Sequence, residues 1–203
     1  PVKPAEELTL RKNNPNHLRI LSYNTLFNGL SDPDRLPYFE RIIGAIEPDV
    51  FAFQEQSNHE TVSSLLSGWL QTRKFYSTQL GNNNVVVSRY PILASELLTK
   101  SGRTMAVLLN TESSIGSNLL LLNSNLACCG NNSSRQNDAD ELISVLREWR
   151  SGNGPFELEA NMPIIHVGDF NLVGDSQQLK TLTDGDIVNE AKFGADFMPD
   201  WDN

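Results

Sequence analysis

Cysteine is almost missing from this 203-residue chain: there are two, Cys128 and Cys129, and they are adjacent. Neighbours in sequence rarely bond to each other, so there is no disulfide framework to fix the compartment. Two cysteines also fall short of the four ligands of a structural zinc site. A structural role, or a small loop beside a site, suits them better than redox chemistry. Histidine is scarce as well, with three residues. Apolar runs such as Leu119–Leu122 are strand-sized, far short of a membrane span. No signal peptide is visible, and the chain opens on Pro1 rather than Met, so it reads as processed or trimmed. A soluble chain is expected, with a secreted or periplasmic location left open. Positive charge is also in deficit. The formal net charge of −9 argues against broad, non-specific binding to nucleic acid, which relies on Lys and Arg releasing counterions. A nuclease is not excluded, because a metal ion can neutralise phosphate locally.

What is present suits one domain with a sizeable core: 39% hydrophobic and 20% charged residues, with no repeat or low-complexity tract. Residues 1–17 read as a polar, extended arm and 18–203 as the folded domain. Strands are expected at Leu18–Tyr23, Val50–Phe53, Asn84–Ser88, Ile92–Leu98, Met105–Leu109, Leu119–Asn123 and Ile164–Val167. Asp32-Pro33 signals a helix start, followed by Leu36, Phe39, Ile42, Ile43 and Ile46 at helical spacing. Ser57 and Glu60 have capping-box spacing ahead of Val62, Leu65, Leu66 and Trp69. Ser133 or Ser134 could cap a helix carrying Leu142, Ile143, Leu146 and Trp149. Strands both alternate with helices and follow one another in hairpin-like runs, which points to a mixed α/β domain.

Several polar residues sit where strands end: Asn24, Glu55, Asn125, and the pair Asp169 and Asn171. Strand ends gather side chains from distant sequence into one cleft. The residue types suit phosphate hydrolysis. Glu55 offers the hard oxygen that Mg²⁺ prefers, and Asn24 a neutral oxygen beside it. Asp169 could orient or deprotonate a water, and the Asn171 amide could donate to a phosphoryl oxygen as charge builds there. In extended chain, residues two apart face the same way, so Asp169 and Asn171 could both point into the cleft. Each also has a local structural alternative: Asn24 as a turn residue, Glu55 in helix capping, and Asp169 with Asn171 in an Asx turn.

Four segments together resemble the endonuclease/exonuclease/phosphatase superfamily, which includes deoxyribonuclease I, abasic-site endonucleases, sphingomyelinases and inositol phosphatases. They are Ser22-Tyr23-Asn24, Pro48 to Glu55, Ser88 to Ile92, and Gly168-Asp169-Phe170-Asn171. The resemblance runs from about Leu18 to about Leu182. It implies a deoxyribonuclease I-like, four-layer α/β/β/α sandwich and a metal-dependent phosphodiesterase, nuclease or phosphatase. The implied cofactor is Mg²⁺, with Mn²⁺ or Ca²⁺ as alternatives. The implied partner is a phosphoester substrate: nucleic acid, a phospholipid headgroup or a small phosphate ester. Carried over by position, Glu55 is the principal metal ligand with Asn24 beside it, and Asp169 and Asn171 handle water and phosphate. Asn125 stands where the family usually has His. No Ser-Asp-His-like segment follows Asn171, so C-terminal strands are expected to be absent. Both departures leave a second reading open, a non-catalytic phosphate-binding or interaction module on the same fold.

The remaining polar residues are expected to be structural. His166 reads as a hydrogen-bonded strand histidine, Arg89 as part of a turn, and Arg135 and Gln136 as solvated residues at a helix start. The acidic stretch from Asp184 onward reads as a solvated face, with Asp184-Gly185-Asp186 only a faint echo of a calcium loop.

Overall fold

The computed structural model describes residues 10, 12, 14, 16–71, 74–172, 174 and 176–196. Eight strands form two sheets. The first contains β1 (Ile20–Asn24), β2 (Val50–Gln54), β3 (Tyr76–Leu80) and β4 (Asn84–Ser88), in the order β1-β2-β4-β3. The second contains β5 (Ile92–Leu97), β6 (Thr104–Leu109), β7 (Leu119–Asn125) and β8 (Ile164–Asp169), in sequence order. The pairs β1–β2 and β7–β8 are parallel, and every other pair is antiparallel. Helices α1 (Leu36–Ile46) and α2 (His59–Trp69) follow β1 and β2. A short α3 (Glu112–Ile115) precedes β7, α4 (Asn132–Glu148) links β7 to β8, and α5 (Ser176–Asp184) and α6 (Glu190–Phe193) follow β8.

The alternation of side chains along each strand builds the layers. On β2, Phe51 and Phe53 face outward onto Phe39 and Ile43 of α1 and Val62 and Leu66 of α2. Val50 and Ala52 face inward against Met105, Val107, Leu119 and Leu121 of the other sheet. A strand covered on both faces needs a continuous apolar run, which Val50–Phe53 supplies. On β6 and β7 the alternate residues Ala106, Leu108, Leu120 and Leu122 face outward onto Leu142 and Trp149. The order helix, sheet, sheet, helix is the four-layer sandwich that the resemblance implies. Among the described residues, β1 and β8 lie at one edge of their sheets and are less buried than β2 and β7.

Three expected helix caps are not used as such. Helix α1 begins after Arg35, and Asp32 closes a turn instead, its Oδ1 accepting the Asp34 N–H at 3.0 Å. Helix α2 starts at His59 behind a left-handed Asn58, while the Ser57 hydroxyl donates to Asn28 Oδ1 at 2.8 Å. Helix α4 starts at Asn132, one residue ahead of Ser133, and its N-cap Asn131 makes no side-chain cap bond. Strand β3 and helices α3, α5 and α6 escaped the sequence reading.

One expectation of solvated charge is overturned, and a second in part, since Asp184 is exposed as expected. Arg135 is fully buried, donating to Ala127 O at 2.5 Å, Cys129 O at 3.1 Å and Gln178 Oε1 at 3.1 Å. In the acidic stretch Asp186 and Asp196 are buried. Lys180 Nζ lies 2.6 Å from Asp186, and Arg147 4.0 Å from Asp196. The Arg147 pair ties the segment after α5 to α4, and the Lys180 pair closes that segment back on α5. Asp200 and Asp202 lie outside the described residues, as does most of the expected arm, although Lys12 within it reaches buried Asp49 at 2.8 Å. The turn role expected of Arg89 takes the form of a 3.5 Å ion pair with the same carboxylate.

Candidate active site

The ends of β1, β2, β7 and β8 meet at one lip of the sandwich. Beneath them a buried amide pair ties the sheets together. Gln54 Nε2 donates to Asn123 Oδ1 at 2.7 Å, and Asn123 Nδ2 donates to Phe53 O at 3.0 Å. This cross-link sets the spacing of the residues just beyond it.

Asn24 is the hinge of the site. Its Nδ2 donates to Glu55 Oε1 at 3.0 Å and to Asp169 Oδ2 at 2.9 Å, bringing together carboxylates 114 positions apart in sequence. The Asn24 oxygen, expected beside a metal, accepts the Leu26 N–H at 2.9 Å. Glu55 Oε2 accepts the Phe27 N–H at 3.0 Å, and Glu55 itself is left-handed at φ 55°. The loop after β1 runs through three left-handed residues, Leu26, Phe27 and Asn28. Such backbone persists only where its surroundings over-determine it. Here Arg35 donates to Leu26 O at 2.7 Å and Thr25 O at 2.6 Å, and Asn28 N donates to Glu55 O at 2.7 Å.

The other wall is made from β7 and β8. Asp169 ends β8, but Asn171 does not continue as extended chain: its φ is 51°, and its N–H donates to Asp169 Oδ1 at 3.2 Å. The Asx turn and a shared cleft thus coexist, and the extended-chain argument for their common direction does not hold. Asn171 Nδ2 donates to Leu126 O at 2.9 Å. Gly168 is required where it stands, since a Cβ there would lie 2.1 Å from Ser124 O at a φ of 146°. Glu55, Asn125, Asp169 and Asn171 all line one cleft of about 530 Å³, and Asn24 bridges two of them.

Sequence reasoning missed several lining residues, Arg103, Asn82, Asn83 and Phe27 among them. Arg103 donates to Asn125 O at 3.2 Å and accepts the Asn125 N–H on its own carbonyl at 2.8 Å. The register decides this, because antiparallel pairing of Thr104 with Ser124 places the residue before β6 beside the end of β7. The β3–β4 turn carrying Asn82 and Asn83 likewise lies beside the end of β2, through pairing of Phe53 with Val85. Cys128 also lines the cleft, in keeping with a loop beside the site. Both cysteines are exposed, and the Cys129 thiol is raised above its ordinary range, first by its hydrogen bond with Cys128.

His166 stays outside. Its Nε2 pairs with Ser124 Oγ at 2.7 Å, its ring stands edge-on to Phe170, and burial lowers its pKa to about 4. It is a neutral strand histidine, as its position suggested.

A model of the Endonuclease/Exonuclease/phosphatase family matches residues 21–202. The chain belongs to this family. No curated protein matches the sequence. Among solved structures, D. rerio TDP2 complexed with single-strand DNA product is 20% identical, with a TM-score of 0.56 over 84% of this chain and 65% of that one. The human nocturnin catalytic domain with bound sulfate is 19% identical, with a TM-score of 0.61 over 81% of this chain and 68% of that one. Sphingomyelinase C from Streptomyces griseocarneus is 16% identical, with a TM-score of 0.55 over 81% of this chain and 68% of that one. At these identities the likeness shows the shared fold. The chain thus spans just under two-thirds of the length of the TDP2 structure. No described helix is long and apolar enough to cross a membrane.

Proposed function

We propose that this chain carries the core of a divalent-metal-dependent phosphoester hydrolase, using Mg²⁺, with Mn²⁺ or Ca²⁺ as alternatives. The observation that carries the reading is the Asn24 amide holding Glu55 and Asp169 side by side in a polar cleft with Asn125, Asn171 and Arg103. The donor set fits Mg²⁺, which binds through one or two carboxylates and completes its shell with water and substrate phosphate. Glu55 would hold the ion, with Asn24 and the Phe27 N–H fixing the carboxylate. Such an ion, when bound, polarises a phosphoryl oxygen and offsets developing charge.

The chain's own groups divide the remaining work. Asp169, fixed through Oδ2 by Asn24 and through Oδ1 by the Asn171 N–H, accepts the proton of the attacking water. The water oxygen bonds to phosphorus as the bond to the leaving oxygen breaks, and that oxygen takes its proton from solvent. Asn171 spends one hydrogen of its NH₂ on Leu126 O and has a second for a phosphoryl oxygen. Asn125 offers a neutral donor and Arg103 a permanent positive charge at the same wall. Arg103 thus supplies charge where the family's usual His is replaced.

One observation favours a non-catalytic phosphate-binding module: no histidine lines the cleft among the described residues. Glu55→Gln separates the two readings. It should remove most Mg²⁺-dependent hydrolysis of bis(p-nitrophenyl) phosphate by the full-length protein, more than the roughly 10–100-fold lost with an outer-shell partner. The thermal melt should be kept. Equal rates for parent and variant at saturating Mg²⁺ would remove the metal assignment, and phosphate binding without turnover in the parent would establish the binding module.

A further inference from the structure

Cys128 and Cys129 are free and exposed, and their sulfurs lie 2.6 Å apart. They stand on the loop between β7 and α4, and Cys128 lines the cleft with Asn125, Asp169 and Asn171. That loop is held at successive carbonyls. Fully buried Arg135 donates to Ala127 O at 2.5 Å and to Cys129 O at 3.1 Å, and Asn131 Nδ2 donates to Cys128 O at 2.9 Å. Cys129 is left-handed at φ 64°. Adjacency in sequence alone does not bring two sulfurs together; here groups outside the pair hold them. Just before the pair, Leu126 O accepts the Asn171 amide at 2.9 Å, so the same loop positions a side chain of the cleft.

We propose that Cys128 and Cys129 form a reversible oxidation site, converted by hydroperoxides to a disulfide between neighbours that resets the cleft wall at Asn171. The link to turnover rests on the reading of the cleft as a phosphoryl site; the oxidation does not. Cys128 supplies the attacking thiolate, since the Cys129 thiol holds its proton above the ordinary range, first through its hydrogen bond with Cys128. The Cys128 sulfur takes one peroxide oxygen as the O–O bond breaks. This gives a sulfenic acid and a hydroxide, which takes the proton that Cys128 gave up. The Cys129 sulfur then bonds to the Cys128 sulfur as the S–O bond breaks, and its proton leaves with the hydroxide as water. Two thiols lose two electrons and two protons, and the peroxide becomes two waters. Neighbouring Cα atoms are about 3.8 Å apart, below the ~4.4–6.8 Å that disulfides usually span. Ring closure must therefore shift the backbone at Cys128 and Cys129. The strained bond is also easily reduced, the property of a regulatory disulfide rather than a structural one.

The test exposes the full-length protein to hydrogen peroxide. It follows the mass of the peptide carrying both cysteines and the Mg²⁺-dependent hydrolysis of bis(p-nitrophenyl) phosphate. The peptide should lose the mass of two hydrogen atoms, and dithiothreitol should return it. Turnover should fall about tenfold or more, as a small displacement of a positioned group can cause, and recover with the mass. Cys129→Ser, at an exposed position outside the cleft lining, should start at the parent rate, gain oxygen at Cys128 and form no disulfide. Oxygen gain alone at the parent cysteines, a cross-link between two copies, or disulfide formation with unchanged turnover overturns the site. If the reduced protein hydrolyses nothing, the phosphoryl reading of the cleft is what fails. The NMR signals of the Asn171 side-chain amide then decide: a shift on oxidation that dithiothreitol reverses supports the site, and unmoved signals overturn it.

Discussion

The two walls of the cleft are built in opposite ways. The wall from the first sheet is strained. Leu26, Phe27, Asn28, Glu55 and Asn83 all have positive φ, and the loop is clamped by the Arg35 guanidinium and by Glu55 itself. The wall from the second sheet grows from regular strand ends, and its one left-handed site residue, Asn171, lies beyond them. Asn125 and Asp169 are paired residues of β7 and β8, and Arg103 leads directly into β6. The strained wall holds the Glu55 carboxylate in one orientation, and the second wall presents Asp169 together with donors and positive charge. The lesson is that a metal-ligating carboxylate needs a fixed direction, which local strain can enforce. Phosphate donors need position, which sheet register provides.

Removing the clamp should break this contrast most severely. Arg35→Ala deletes two charge-assisted bonds to the loop carbonyls and should cost roughly 2–4 kcal/mol of stability. Turnover should fall with it because Glu55 loses the aligned Phe27 N–H. A denaturant titration alongside Mg²⁺-dependent kinetics checks this. Unchanged values for both would mean that the loop holds its shape without Arg35.

On the regular wall the effect should be smaller and confined to kinetics. Asn125→Ala should lower kcat by about tenfold to a hundredfold, less than the roughly hundredfold to thousandfold of a lone transition-state donor, because Arg103 remains. Metal affinity should stay nearly intact, and Asn125→His should restore or raise the rate. Equal rates for the three proteins would make position 125 structural.

The smallest effect is expected behind that wall. His166 has a pKa lowered by burial to about 4 from an ordinary 6.5. Between these values the unfolded chain takes up a proton that the folded chain refuses. Stability from this residue is therefore complete above pH 6.5 and is lost as pH falls toward 4. His166→Gln should flatten the melting temperature over that window and leave neutral-pH turnover unchanged, since the ring pairs with Ser124 outside the cleft. A lost rate at pH 7.5 would show that this face of β8 matters to the chemistry.

Much of the fold was legible in the residues. Leu36, Phe39, Ile43 and Ile46 mark α1, and the run Val50–Phe53 marks a strand covered on both faces. Strand β3 was not legible, because Tyr76-Ser77-Thr78-Gln79-Leu80 is polar enough to pass for loop. Helices α5 and α6 carry few apolar residues and dock through hydrogen bonds such as Gln178 to Asn132 O and Ser144 to Phe193 O. Pattern reading is blind to contacts of that kind. Helix starts were misplaced at Asp32, Ser57 and Ser133 because a cap is decided by backbone angles over one or two residues, which several nearby polar residues can satisfy.

Apolar alternation and its interruption are local properties, so the placing of Asn24, Glu55, Asn125 and Asp169 at strand ends could be read from the residues. The packed fold is what sets one Asn24 amide against both carboxylates. It alone brought Arg103 beside Asn125. The physical reason is that these facts depend on strand register and on the distance between packed sheets. Both are set by the summed packing of core residues far apart in the chain, and no local stretch of sequence contains that sum.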